Sequence, residues 1–522
     1  MLALLLSACW STTPDSLPAG SPDQPDIIFV SIDTLRADHL SSYGYERETS
    51  PFLDRLAAEG TRFAHARSAS PWTLPAHTTM LTGQLPSTHR VVDDNLSLSA
   101  SVPVLPALLQ EAGYNTGGFV STLYVSRKFG FERGFDVFDD FGITTEKQNL
   151  SGGVVAENII DAALSWWAGQ PAGEPSFLFL HFYDVHYAYD PPAPFDTMFD
   201  RAPKRSDLGY KNYFYFKRNL PSEEQFAHQI AQYDESIRYV DAQLARLDAQ
   251  LRAAGREVRW VVTADHGEEF GERGSWGHAH TLYAEQLHVP LIVSGGGLPS
   301  GNVVEGWVGS HDLAPTVAAW AGTADGLRAD GIDLAGVLGG EAPPARTFLG
   351  ETTRFKTNRL SYLSGDLRLE WDVKANRLEL FAPLEDPAES RDLSSERPDD
   401  VQRLRAELIA ELGVDWEATE AVRVTVKGNK DKNAFLFTAN TRRSSASFQP
   451  GAQFLVLPYD ADVSAERTGE EAVGPWRAAG GAVPGEGDPL RLLRTTEADV
   501  QTMDREECLK LRALGYMGDC PE

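Results

Sequence analysis

Asp26-Ile27-Ile28-Phe29-Val30-Ser31-Ile32-Asp33 is the stretch on which the fold turns. Its apolar run does not alternate with polar residues. That pattern suits a strand buried on both faces, as in a parallel sheet covered by helices. Two further stretches share the build: Ser176-Phe177-Leu178-Phe179-Leu180-His181-Phe182-Tyr183-Asp184-Val185-His186 and Trp260-Val261-Val262-Thr263-Ala264-Asp265-His266-Gly267. Each of the three ends in carboxylates or histidines. Ligands of open parallel sheets sit at the carboxyl ends of the strands, so these side chains are expected to converge on a metal site. Trp72-Thr73-Leu74-Pro75-Ala76-His77 reads as a helix start with proline just inside it. The helix dipole there favours an anionic group beside Thr73.

From Asp26 to about Gly340, strand-like and helix-like stretches alternate, which predicts an α/β domain with a mostly parallel sheet between helices over 26–345. Val104 to Gly113 reads as a helix closed by glycine. Glu223 to Gly255 reads as a long amphipathic one, with Ile230, Tyr233, Ile237, Val240, Leu244, Leu247 and Leu251 on its buried face. Gly295-Gly296-Gly297 reads as a turn after a strand. A smaller α+β subdomain is expected over 346–414, with a turn at Glu385-Asp386-Pro387 and a helix near Gln402 to Leu412. Residues 415–522 read as a β-rich appendage with strands at Val422–Val426, Phe435–Thr438 and Phe454–Leu457.

With 522 residues, the chain can bury a large core and form more than one domain. Its formal net charge of -28 argues against a nucleic-acid partner. An anionic substrate must then be drawn in by a local site against the overall field; the charge itself reads as a solubility device for an extracellular or salty setting. Met1-Leu2-Ala3-Leu4-Leu5-Leu6-Ser7-Ala8-Cys9 resembles a bacterial lipoprotein signal (1–8) with lipidation at Cys9, although the basic start is missing, which suits an initiator upstream. Residues 9–25 then form a tether, and membrane contact runs only through the lipid. The expected location is the periplasmic face of a membrane or the cell surface. Cys508 and Cys520 remain as an even pair, expected to close the tail as a disulfide.

Seven landmarks occur in order. They are Ser31-Ile32-Asp33-Thr34-Leu35-Arg36 through Tyr43-Gly44; Thr49-Ser50-Pro51-Phe52-Leu53-Asp54-Arg55-Leu56-Ala57; and Thr73-Leu74-Pro75-Ala76-His77 with Leu81-Thr82-Gly83. Thr263-Ala264-Asp265-His266-Gly267 follows, then Tyr283-Ala284-Glu285 leading to Val289-Pro290-Leu291-Ile292. Asp312-Leu313-Ala314-Pro315-Thr316 and Glu379-Leu380-Phe381 with Asp386-Pro387-Ala388-Glu389 complete the set. Together they resemble the sulfatases, a family of the alkaline phosphatase superfamily, over residues 26 to about 413. The resemblance implies an alkaline-phosphatase-like fold and a metal-dependent ester hydrolase. Three positions depart from it. Thr73 stands where the family has the Cys or Ser that is oxidised to formylglycine, and threonine cannot yield that aldehyde. His77 takes the arginine position of the same signature, and Thr34 that of the second aspartate. The lysine-histidine pair after the next strand is absent from Gly113–Phe119.

The resemblance implies Asp33, Thr73, Asp265 and His266 as ligands of a divalent cation. The mixed carboxylate and imidazole set favours Zn²⁺ or Mn²⁺ over the Ca²⁺ of all-oxygen sites, as one ion or two. Thr73 serves as nucleophile in this reading, as threonine does in several phosphate-handling branches of the superfamily. His186 matches a substrate-contacting histidine, with a second-metal ligand as the alternative; Asp184 stays open between the site and a solvated loop. His278 or His280 falls where the family places a lysine, and either one supplies positive charge, protonates the leaving oxygen or ligates a second metal. His77 faces the substrate or packs. The expected substrate is a small-molecule or envelope phosphate or sulfate ester. The alternatives are a sulfatase working without formylglycine and a catalytically silent binding lipoprotein.

Overall fold

The structure, a computed structural model, describes residues 24–412 apart from 95, 144–152, 203–218 and 374. It also describes Leu17 and the strands Ala421–Lys427, Lys432–Thr438, Asp462–Thr468 and Ala498–Val500. Cys9, Cys508, Cys520 and the expected strand Phe454–Leu457 lie outside the described residues.

The central sheet holds β1 (Asp26–Ile32), β2 (Gly60–Arg67), β3 (Asn115–Val120), β4 (Val137–Asp139), β5 (Ser176–Phe182), β6 (Val258–Thr263), β7 (His288–Gly295) and β8 (Asn302–Gly309). Their spatial order is β8-β2-β7-β6-β1-β5-β3-β4, and only β7 runs against the rest. Every residue of β1 and β5 is buried, as their unbroken apolar runs require of strands covered on both faces. Phe29 and Phe179, neighbours in register, pack edge to face at 5.7 Å.

Helices flank this sheet. α1 (Pro51–Glu59) starts on a proline in its first turn. α2 (Thr73–Thr82) is buried along its whole length and closes on Gly83 in the left-handed region, φ 72°. The predicted helix at Val104 to Gly113 is α3 (Leu105–Glu111), and α4 (Ala156–Ala168) follows. The long predicted helix is α5 (Glu223–Ala253), opened by a capping box between Ser222 and Gln225. All the residues expected on its inner face are buried except Ile230, which is half-buried. Gly295, Gly296 and Gly297 have φ of 84°, 58° and 76°, so the turn after β7 is one that only glycines adopt without strain.

A second, antiparallel sheet is a meander of Thr347–Thr352, Arg359–Ser364, Leu367–Asp372 and Arg377–Phe381. α6 (Pro398–Leu412) buries Val401, Leu404 and Leu408 in the same cluster as Leu369, Trp371 and Leu380. Glu351 N–H donates to the Ala69 carbonyl at 2.9 Å, which ties this sheet to the segment leading into α2. The strands Ala421–Lys427, Lys432–Thr438 and Asp462–Thr468 form a further antiparallel sheet. Among the described residues no helix is long and apolar enough to cross a membrane.

Candidate metal and catalytic centre

Register builds the centre. Ser31 of β1 stands opposite both His181 of β5 and Thr263 of β6. Asp33 and Asp265 each lie two residues beyond that level, so they leave the sheet side by side. Asp33 N–H still donates to the Phe182 carbonyl at 2.9 Å. The chain then turns through Thr34 at φ 59°, a left-handed conformation costing a β-branched residue about 1–3 kcal/mol. Its surroundings hold it there. Thr34 N–H donates to Asp265 Oδ1 at 3.1 Å, and its hydroxyl lies 2.7 Å from the Asp33 carbonyl and 2.9 Å from that of Val185. The side chain that replaces the family's second aspartate thus binds backbone, away from the carboxylates.

Asp33, Asp265 and His266 have no exposed surface, and their ligand atoms all lie within 4.8 Å of one another. Asp265 Oδ1 also accepts from His266 N–H at 2.9 Å, which leaves Oδ2 for the centre. His266 Nδ1–H donates to the Gly267 carbonyl at 2.9 Å, so Nε2 carries the lone pair. That nitrogen is 3.4 Å from Asp265 Oδ2, 3.8 Å from Asp33 Oδ1 and 3.5 Å from Thr73 Oγ1. Ligands about 2.0–2.2 Å from a tetrahedral ion stand roughly 3.3–3.6 Å apart, so the spacing fits. Among the described residues neither oxygen of Asp33, nor Asp265 Oδ2, has a hydrogen-bond partner. Buried carboxylates of that kind are tolerable only beside a cation or a proton. Without the cation, burial pushes Asp265 up to about 6 and His266 down to about 4. Asp33 rises well above the carboxylate range through burial and the charges of Asp265 and Glu268. The donor set fits a divalent cation.

The remaining histidines part company. His278 tilts against His266 with ring centroids 4.6 Å apart, and meets His186 edge-on at 4.9 Å. Its Nδ1–H donates to Glu268 Oε1 at 2.9 Å, while the Tyr189 hydroxyl donates to Glu268 Oε2 at 2.5 Å. His186 stacks on Tyr183 at 4.3 Å and donates from Nδ1 to the Tyr187 carbonyl at 2.7 Å. His280 is taken up by its own loop: Nδ1 donates to the His278 carbonyl at 2.7 Å, and Nε2 meets the Ser275 hydroxyl. Asp184 is directed elsewhere, accepting from Ala156 N–H at the start of α4 at 3.0 Å. His77, one turn beyond Thr73, has no exposed surface; its Nδ1–H donates to the Thr73 carbonyl at 2.9 Å and lies 3.6 Å from Asp265 Oδ2.

Two residues of the centre carry no assignment from the sequence. Glu268 is fully buried and orients His278. Its position two past His266 was the available signal. His181 is also fully buried, with Nε2 3.4 Å from Asp33 Oδ2. A histidine inside an otherwise apolar strand was the sign there, because a buried imidazole needs a partner.

Comparison with known proteins identifies the family. The family profile described as Sulfatase matches residues 25–323. An uncharacterized sulfatase of Escherichia coli K12 is 24% identical over 342 residues, covering 57% of this chain and 68% of the relative. An N-acetylglucosamine-6-O-sulfatase of Bacteroides thetaiotaomicron is 23% identical over 401 residues, covering 61% and 71%. Among solved structures, a phosphonate monoester hydrolase from Silicibacter pomeroyi shares the fold with a TM-score of 0.61 at 24% identity, covering 74% of this chain and 95% of its own. The profile spans more than half of the chain, and the protein belongs to the sulfatase family of ester hydrolases.

Proposed function

We propose that the protein hydrolyses phosphate esters, and less readily sulfate esters, with Thr73 as nucleophile. The observation that carries this reading is the position of Thr73 Oγ1. It opens a buried helix and lies 3.5 Å from the Nε2 of His266, beside Asp33 and Asp265. Those three side chains would hold the cation. Their mixed nitrogen and oxygen donors suit Zn²⁺ or Mn²⁺ better than Ca²⁺. When bound, such a cation lowers the pKa of a hydroxyl it touches and neutralises charge on the transferred group.

The protein's own residues supply the rest. Thr73 Oγ1 releases its proton to solvent water and bonds to the phosphorus or sulfur. The ester oxygen departs with the bonding electron pair and takes the Nε2 proton of the His278 imidazolium, whose Nδ1–H Glu268 holds. His186, stacked on Tyr183 and edge-on to His278, lines the leaving-group side. Water then releases the acid from the threonine ester. The substrate is a small-molecule or envelope ester, and the lipoprotein-like start at Met1–Cys9 supports action at the periplasmic face of a membrane or at the cell surface.

A sulfatase working without formylglycine is the second reading, favoured by the sulfatase names of the relatives. Hydrolysis of nitrophenyl phosphate, phosphodiester, phosphonate and sulfate by metal-loaded protein, beside Thr73→Ala, separates the two. Phosphoester turnover lost in the variant is the expected result. Sulfate-only turnover replaces it with the second reading, and turnover that survives Thr73→Ala removes the threonine from the mechanism.

A further inference from the structure

Sharing Asp265 with the first cluster is a second group, whose two histidines the mechanism above does not use. His77, His181 and Asp265 bring one ligand atom each within 4.8 Å of one another, and all three are fully buried. His77 donates from Nδ1 to the Thr73 carbonyl, so its Nε2 is the basic nitrogen, and that nitrogen has no hydrogen-bond partner. Neither nitrogen of His181 has one. Two imidazoles meet edge to face here, with centroids 4.9 Å apart, and among the described residues no hydrogen-bond donor reaches them. Apolar cores do not keep such groups without a ligand.

The carboxylates point the same way. Asp33 addresses two different imidazoles with its two oxygens: Oδ1 is 3.8 Å from His266 Nε2, and Oδ2 is 3.4 Å from His181 Nε2. Asp265 Oδ2 is 3.4 Å from His266 Nε2 and 3.6 Å from His77 Nδ1. Asp33 is therefore placed as a bridge between two nitrogen donors, and Asp265 belongs to both groups of ligand atoms. We propose that His77 and His181, with Asp33 and Asp265 as bridging carboxylates, hold a second divalent transition-metal ion adjacent to the first. The ion explains the departure at His77. Where the sulfatase signature carries an arginine, this chain places a neutral ligand, and the ion brings the positive charge. Among the described residues no lysine or arginine is bonded to Asp33, Thr73, Asp265 or His266, and the ion thereby supplies charge for a dianionic ester.

This rests on the reading of Asp33, Asp265 and His266 as ligands of a first cation. The test counts ions. The full chain is stripped with chelator, equilibrated with Mn²⁺ alone, and analysed for bound manganese and by electron paramagnetic resonance. Two ions per chain with a magnetically coupled spectrum are expected. His181→Asn and His77→Asn should each bind one ion and show the resolved hyperfine pattern of isolated Mn²⁺, with folding checked by circular dichroism. If a variant fails to fold, the wild-type count and coupling decide. One uncoupled ion in the wild type overturns the second site and leaves the first. Two ions in the wild type and in both folded variants also overturn it, because the second ion then lies elsewhere. No bound ion overturns the first site as well.

Discussion

The Tyr233 hydroxyl donates to the Thr34 carbonyl at 2.7 Å and accepts from Arg36 N–H at 2.8 Å. One phenol from α5 thus clasps the turn that carries Asp33 away from β1, on a residue held in a left-handed conformation. Tyr233→Phe leaves a buried carbonyl and a buried amide unpaired, at a cost of about 1–3 kcal/mol. Urea unfolding should show that loss, and metal affinity should fall with it. Wild-type stability in the variant would mean that the clasp contributes nothing.

His278 and His280 stand two residues apart but differ in what they touch. His278→Ala should lower kcat by on the order of 10²–10⁴, the range for loss of a general acid. His280→Ala removes contacts to the His278 carbonyl, Ser275 and Glu269, leaves the His278 ring in place and should stay within a few-fold. Glu268→Gln should fall between them, at roughly 10–100-fold, because it disturbs the orientation of His278 and leaves the ring in place. Steady-state kinetics on one nitrophenyl ester checks all three, and equal losses at positions 278 and 280 would reject this division.

Cation binding to the folded chain stabilises it by about 4 kcal/mol at a thousand-fold excess over Kd. Chelation should therefore lower the melting temperature by roughly 3–5 °C in a protein of this size. Zn²⁺ or Mn²⁺ should restore it, and Ca²⁺ should not. Differential scanning fluorimetry with each ion is sufficient. Full recovery by Ca²⁺ would show that the imidazoles do not select the metal.

Glu351, on the first strand of the second sheet, is 2% exposed, and burial pushes its carboxyl up to about 7 although Ser87 N–H donates to it at 3.0 Å. A carboxyl raised in the folded state contributes stability that is fully present below its unfolded value of 4.5 and is lost as pH rises through about 7. The change amounts to roughly 3 kcal/mol at most. Glu351→Gln should remove this dependence, so that wild type loses ground to the variant between pH 5 and pH 8 in denaturant titrations. An unchanged difference at the two pH values would refute the assignment.

The family, the central strands, the helix that opens at Thr73 and the metal-ligand candidates Asp33, Asp265 and His266 could be read from the sequence. Apolar continuity, a proline in a first turn and polar residues at strand ends are local properties, visible in a window of a few residues. The division of labour among the other polar groups was not. His181 approaches Asp33 only because parallel pairing sets it opposite Ser31, and no local pattern encodes the register between strands so far apart in the chain. Asp184 goes to the start of α4 because the Ala156 amide reaches it there, and His280 folds back on Ser275 and the His278 carbonyl of its own loop. Thr34 keeps its left-handed turn through bonds to Asp265, Val185 and Tyr233. Sequence by itself determined the family of ester hydrolases to which this protein belongs and the candidate residues for its site. Tertiary structure alone decided which side chains meet to perform it, because a buried polar group is placed by the partners that satisfy it.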